Sequence, residues 1–176
     1  MATAQAPANG FMENLSSGVQ DWDVVYADCA PRVFNYFRYR LGNEVDAAEL
    51  TSRTFERAWR SRMTYRKNLA TFTTWLFAIA KNVHIDYLKG RHIYLPIDAA
   101  ANLAADGSPA IDAERRSDLS RLASLCADLS ERDRELIALR YGADLSNRFI
   151  GRMTGLSESN VGTILHRLVK VLRERW

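Results

Sequence analysis

The sequence predicts an all-α protein of two small helical domains joined by a flexible linker, and three observations carry that expectation. Apolar residues recur at three- and four-residue steps along most of the chain, which is the helical period. No segment reads as a convincing run of strand. Between the helical stretches, "PIDAAANLAADGSPAIDAE", residues 96–114, gathers small residues, two prolines, a Gly-Ser pair and several acids, the composition of a linker.

In chain order, residues 1–20 are rich in Ala, Ser, Asn and Gly with little periodicity and are expected to form a disordered tail. Helical patterning opens at "DWDVVYADCAPRVFNYFRYRLG", where Trp22, Val25, Cys29, Val33, Phe37 and Leu41 share a face. Pro31 is expected to kink or divide this segment and Gly42 to stop it. A second helix over about 44–61 carries Val45, Ala48, Phe55 and Trp59 among charged residues. A third, over about 71–90, buries Leu76, Ile79, Ala80, Val83 and Tyr87 as one stripe. The domains are therefore set at 21–92 and 117–176, with a linker at 93–116. The second domain reads as a four-helix unit. Ser130, Ser146 and Ser157 each precede a helical pattern as N-caps, and Gly142 and Gly155 punctuate helix ends.

The 176 residues are 47% hydrophobic, enough for a packed core, and carry a net charge of +3. The excess lies in the first domain: residues 32–92 hold 12 Lys/Arg against 5 Asp/Glu, whereas residues 117–176 hold 10 against 8. A phosphate grip belongs there first. Cys29 and Cys126 lack the spacing of a disulfide framework or zinc site. His84, His92 and His166 are scattered, with neither a nucleophile nor a Gly-rich phosphate loop around them. No catalytic residue, metal or cofactor is expected, and a hydrolase or transferase is disfavoured. The N-terminus has no signal-peptide pattern, and no run of about 18 apolar residues occurs, so the expectation is a cytoplasmic protein without a membrane span.

Two faces carry recognition chemistry. In "SESNVGTILHRL", residues 157–168, and its continuation, Val161, Leu165, Leu168 and Leu172 form a core stripe. Ser159, Asn160, Gly162, Thr163, His166, Arg167 and Lys170 then point outward. A short helix, a "TGL" turn and this capped helix match a helix-turn-helix, whose second helix reads DNA. An ordinary bundle helix with a solvated polar face has the same pattern. In the third helix, Trp75, Asn82, Asp86 and Lys89 share the face opposite the core stripe. Tyr65, Arg66, Lys67 and Phe72 stand upstream, with Arg91 and His92 downstream. Aromatics interleaved with cations suit unpaired bases, since rings stack on bases while Lys and Arg track phosphate. Core aromatics among solvating charges are the competing account.

"DAAELTSRTFERAW", "TTWLFAIAKNVHIDYL" and "LSERDRELIALRYG", in that order and followed by a helix-turn-helix, resemble the bacterial sigma-70 superfamily, specifically its extracytoplasmic-function group. The resemblance covers residues 21–92 and 117–176. It implies a non-enzymatic promoter-specificity subunit whose sigma-2 and sigma-4 domains bind core RNA polymerase at its clamp helices and flap. It also implies contact with promoter DNA, both double-stranded and as the melted non-template strand. Asp46, Glu49, Leu50, Phe55 and Arg57 fall in the segment that docks on the clamp helices. Asn82 takes the family's "A-[RK]-N" position in the −10 segment, with Tyr65, Phe72, Trp75, Asp86, Tyr87, Lys89 and Arg91 around it. Ser159, Asn160, Thr163, His166, Arg167 and Lys170 would face the −35 element.

The chain departs from the family pattern in places. Ala48, Ser52 and Arg53 replace polar or acidic residues of the docking segment. Gly162 and Ile164 stand where a Lys and an Arg are common, and Phe149 stands near an expected acid. Loss of two cations lowers both affinity for DNA and its salt dependence. Phe149 and Ile164 are open to three readings: altered DNA recognition, a patch facing an anti-sigma factor, activator or polymerase flap, or plain packing. A stand-alone helix-turn-helix regulator and a non-transcribing decoy for an anti-sigma factor are the rival functions.

Overall fold

The computed structural model describes residues 22–93, 121–122 and 124–176. The tail at 1–20 and all but the first residue of the linker at 93–116 lie outside the described residues. All regular structure among the described residues is helical. Helices α1 (Trp22–Leu41), α2 (Glu44–Ser61) and α3 (Phe72–Ile93) form one unit. Helical residues at 121–122 and 124–127, α4 (Glu131–Ile137), α5 (Asn147–Thr154) and α6 (Glu158–Arg175) form the other.

Helix α1 is continuous through Pro31, contrary to the expected division. Proline removes one backbone donor, but Cys29, Val33, Tyr36 and Phe37 on the same face are buried, and their packing carries the helix across the gap. Gly42 closes it in the left-handed region at φ 66°. Asn43 caps α2, its Oδ1 accepting from the amides of Val45 and Asp46 at 2.9 and 3.2 Å. Of the residues expected on α2's apolar side, Phe55 is buried, whereas Val45, Ala48 and Trp59 are exposed. On α3, Leu76, Ala80 and Val83 are buried as the stripe requires, and Ile79 and Tyr87 are half-buried.

The three serine caps sit where the sequence puts them. Ser130, Ser146 and Ser157 hydroxyls accept from the amides of Asp133, Phe149 and Asn160 at 3.1, 3.3 and 3.2 Å. Arg134 fastens the preceding helical residues, donating to the carbonyls of Cys126, Ala127 and Leu129. After α4 the backbone widens into a single π turn, Ala138–Gly142, closed by the Ala143 amide on the Ala138 carbonyl at 2.9 Å. Gly142 therefore ends a π turn rather than a regular helix, and its φ is not positive.

The two units touch. Helix α1 packs on α4 and the π turn, and α3 touches α5. No helix among the described residues is long and apolar enough to cross a membrane.

Candidate nucleic-acid interface

The helix-turn-helix is built on two glycines. Gly155 caps α5 in the left-handed region at φ 76°, its amide bonded to the Gly151 carbonyl at 2.9 Å. A Cβ on Gly151 would stand 2.6 Å from the Leu156 carbonyl oxygen, so the turn folds back over bare backbone. Gly151 was not foreseen in this role; its place four residues before the capping glycine in "GRMTG" was the available signal. Val161, Leu165, Leu168 and Leu172 then bury one side of α6.

The opposite side is open. Ser159, Asn160, Thr163, His166, Arg167 and Lys170 are all exposed, and the Thr163 hydroxyl is turned back onto the Ser159 carbonyl at 3.0 Å. Gly162 is half-buried because the Asn147 side chain crosses above it: a Cβ there would lie 3.3 Å from Asn147 Nδ2. Phe149 and Ile164 are half-buried and packed against the core. Each adjoins a buried residue of its own helix, Phe149 beside Ile150 and Ile164 beside Leu165, so both share in the packing of the second unit.

In the first unit, Phe72 is fully buried and is a core residue, not a base contact. Its ring holds three others in place. Trp22, Tyr65 and Trp75 stand 6.0, 5.7 and 5.4 Å from it, and Tyr65 and Trp75 are tilted 44° to each other at 5.3 Å. Trp59 packs edge-on to Trp22 and carries the Arg62 guanidinium 3.9 Å above its face. Between Arg62 and Phe72 the chain exposes Met63 and Leu69 beside Arg66 and Lys67. Trp22, Trp59, Met63 and Leu69 were not foreseen in this role, because their approach depends on the fold of the turn after α2.

Asn82, Asp86 and Lys89 are exposed on one face of α3, and Arg91 lies in its last turn. Asp86 pairs with Arg57 at 2.7 Å, and the Tyr87 hydroxyl donates to Asp46 Oδ2 at 2.6 Å. Two residues assigned by resemblance to polymerase docking are thus joined to two assigned to the −10 face. Glu49 is exposed and pairs with Arg53. Leu50 is fully buried and Phe55 nearly so, which makes both core residues of α2 rather than contacts on its outer side. Cys29 is buried, and burial with the nearby Asp28 carboxylate raises its thiol to about 12; Cys126 is likewise buried and raised by burial. Neither thiol is reactive at neutral pH. Among the described residues no cluster of His, Cys, Asp and Glu could hold a metal.

Two polar faces, one beside an aromatic cluster and one on a helix-turn-helix, occur in a chain whose residues 25–92 match the model of "Sigma-70 region 2" and whose residues 127–174 match "Sigma-70, region 4". The chain belongs to the extracytoplasmic-function group of the sigma-70 superfamily. Members of this family are non-catalytic transcription factors. The ECF RNA polymerase sigma factor BldN of Streptomyces coelicolor is 30% identical over 171 residues, covering 92% of this chain and 63% of BldN. SigE of Mycolicibacterium smegmatis is 33% identical over 167 residues, covering 90% and 62%. This chain thus spans just under two thirds of the length of these two relatives. In fold it is similar to the sigma factor RpoE of Bartonella quintana, solved with the anti-sigma factor NepR. The TM-score is 0.66 at 19% identity, over 89% of this chain and 96% of that one. CnrH, solved with the cytosolic domain of CnrY, gives 0.59 at 20% identity, over 87% and 83%.

Proposed function

We propose that this protein is a promoter-specificity subunit that binds core RNA polymerase, recognises −10 and −35 elements, melts DNA and starts transcription of a specific set of genes in the cytoplasm. One observation carries the reading: regions 2 and 4 occur in order on one chain, and each leaves a polar helical face exposed.

In this reading Ser159, Asn160, Thr163, His166, Arg167 and Lys170 meet the −35 element in the major groove. Asn160 and Thr163, near the helix N-terminus, reach base edges, while Arg167 and Lys170 track phosphate. Tyr65 and Trp75 offer partly exposed rings to unstacked bases of the non-template strand, with Phe72 as their floor. Stacking of this kind is worth roughly 1–3 kcal/mol per base, comparable with the cost of taking a base out of the duplex. Asn82, Asp86, Lys89 and Arg91 line the path of that strand. Asp46, Glu49 and Arg57 present the outer side of α2 to the polymerase clamp helices, and region 4 meets the flap. An anti-sigma factor is a further partner of this class of protein, and the fold likeness to RpoE solved with NepR supports looking for one.

Runoff transcription on fragmented DNA, with purified core polymerase in the presence and absence of the chain, tests the reading. New starts that share −10 and −35 elements support it. Absence of core binding, or promoter binding equally strong without polymerase, rejects it in favour of a stand-alone regulator.

A further inference from the structure

Gly162 leaves a gap in the side chains of α6, and a residue of another helix fills it. A Cβ on Gly162 would lie 3.3 Å from Asn147 Nδ2, closer than side chains ordinarily approach. The φ of Gly162 is not positive, so its own conformation does not call for glycine, and glycine weakens the interior of a helix. What glycine provides here is room for the Asn147 carboxamide. Asn147 is the first residue of α5, in the turn that the Ser146 hydroxyl caps, so its side chain projects from a fixed backbone.

The place it reaches is the edge of the face assigned to DNA. Gly162 stands three residues after Ser159 and four before His166, both exposed, and helical spacing makes it a neighbour of each. Asn147 is half-buried, and its Oδ1 is buried without a hydrogen-bond partner among the described residues. A carbonyl oxygen in that condition favours any arrangement in which it meets a donor. The torsion that turns a carboxamide is broad, so turning it outward costs little. In the major groove adenine presents the N6 donor and the N7 acceptor side by side, the complement of a carboxamide oxygen and nitrogen.

We infer that Asn147, admitted by Gly162, reads one adenine of the −35 element in place of the side chain that α6 lacks at this position. The inference rests on the promoter reading above and extends it from α6 to α5. A lysine at 162, common in this family, would occupy the same space and push Asn147 aside. Loss of the cation and gain of a base reader are therefore one exchange. Its consequence is a −35 contact that depends less on salt-sensitive phosphate binding and more on base edges.

The test uses the full chain with core polymerase and a library of −35 variants, comparing wild type with Asn147→Ala, Asn147→Asp, Gly162→Leu and the double variant Asn147→Ala/Gly162→Leu. Circular dichroism and thermal melting establish that each is folded. Asn147→Asp keeps the size, and a carboxylate in the first turn of a helix is favourable, so this variant stands in if another does not fold. Wild type is expected to prefer adenine at one position by at least about fivefold, and Asn147→Ala to abolish that preference. Asn147→Asp should move it to cytosine, because a carboxylate accepts from cytosine N4 and has nothing to donate to adenine N7. Gly162→Leu should flatten the same position, and the double variant should go no further than either single one. An unchanged base preference in the folded variants overturns the inference. An equal loss of affinity across all sequences overturns base reading and leaves Asn147 a phosphate contact. Effects of Asn147→Ala and Gly162→Leu at different base pairs overturn the part given to Gly162. Failure of the wild-type complex to select any sequence in the library rejects the promoter reading, and this assignment with it.

Discussion

The Tyr87 hydroxyl donates to Asp46 Oδ2 at 2.6 Å, tying the middle of α3 to the first turn of α2 across 41 residues of sequence. The bond is partly buried and its acceptor is charged, which places it among the stronger side-chain bonds. It also fixes the carboxylate that the docking proposal assigns to polymerase. Tyr87→Phe is expected to lower stability by about 1–2 kcal/mol in urea unfolding and to weaken core polymerase binding without altering α6–DNA contacts.

The Arg57–Asp86 pair is different in kind. Both side chains are about half exposed, at 47% and 52%, so solvent screens the attraction. Arg57→Ala is expected to change stability by less than about 1 kcal/mol. A loss of core affinity in the same variant, measured by titration of labelled protein, would therefore report a missing contact rather than a damaged fold.

Acid should loosen the seam between the units. Burial, then the neighbouring Arg40 charge, lowers the His84 pKa from its ordinary value, against the opposing pull of Glu131 and Glu135. Burial alone would raise Glu131, but Arg40, His84 and Arg134 outweigh it and hold the carboxyl below its usual range. Both groups are depressed where the units touch, so that contact loses stability as protons bind. The His84 contribution is complete above its unfolded value of about 6.5 and is lost as pH falls through the lower folded value. The Glu131 contribution is lost further down. Scattering from pH 7.5 to 5.5 should show expansion that His84→Gln flattens; an unchanged pH profile in that variant would assign the response elsewhere.

Gly151 and Gly155 make separate demands on the helix-turn-helix. Gly155→Ala places a side chain at φ 76° and is expected to cost about 1–2 kcal/mol, with Gly155→Asn milder. Gly151→Ala sets a methyl 2.6 Å from the Leu156 carbonyl oxygen and is expected to cost about 1–3 kcal/mol by forcing the turn open. Thermal melting of both variants should rank them in that order of severity, with Gly151→Ala the worse.

On α6 the exposed cations and small polar groups should separate by phenotype. Lys170→Ala is expected to weaken promoter binding across all sequences and reduce the salt slope by about one. Asn160→Ala is expected to relax preference at one or two base pairs of the −35 element, at about 1–3 kcal/mol of discrimination. Binding of the polymerase complex to a library of −35 variants at two salt concentrations distinguishes the two.

Features governed by nearby residues were legible in the sequence. Ser130, Ser146 and Ser157 cap their helices because the hydroxyl needs only an amide three residues on. The stripe of Val161, Leu165, Leu168 and Leu172 comes from period alone. Of the two outcomes expected at Pro31, a kink or a division, the division does not occur, because a local rule met tertiary packing, with Cys29 and Val33 buried on either side of it. Leu50, Phe55 and Phe72 misled in the opposite sense: their placement by resemblance could not say which side chains face inward. The seam was illegible. Arg40 and Glu131 are 91 residues apart, His84 and Glu131 are 47, and no spacing rule connects positions on opposite sides of a linker.

The π turn at Ala138–Gly142 amounts to one residue more than a regular helix would use. Such an insertion is absorbed within the wider turn, which bulges the backbone locally and leaves the flanking chain in phase. Gly142, which meets the α1 backbone at Asn35 and Tyr36, lies in this turn, so the place where the two units meet is shaped by backbone as much as by side chains.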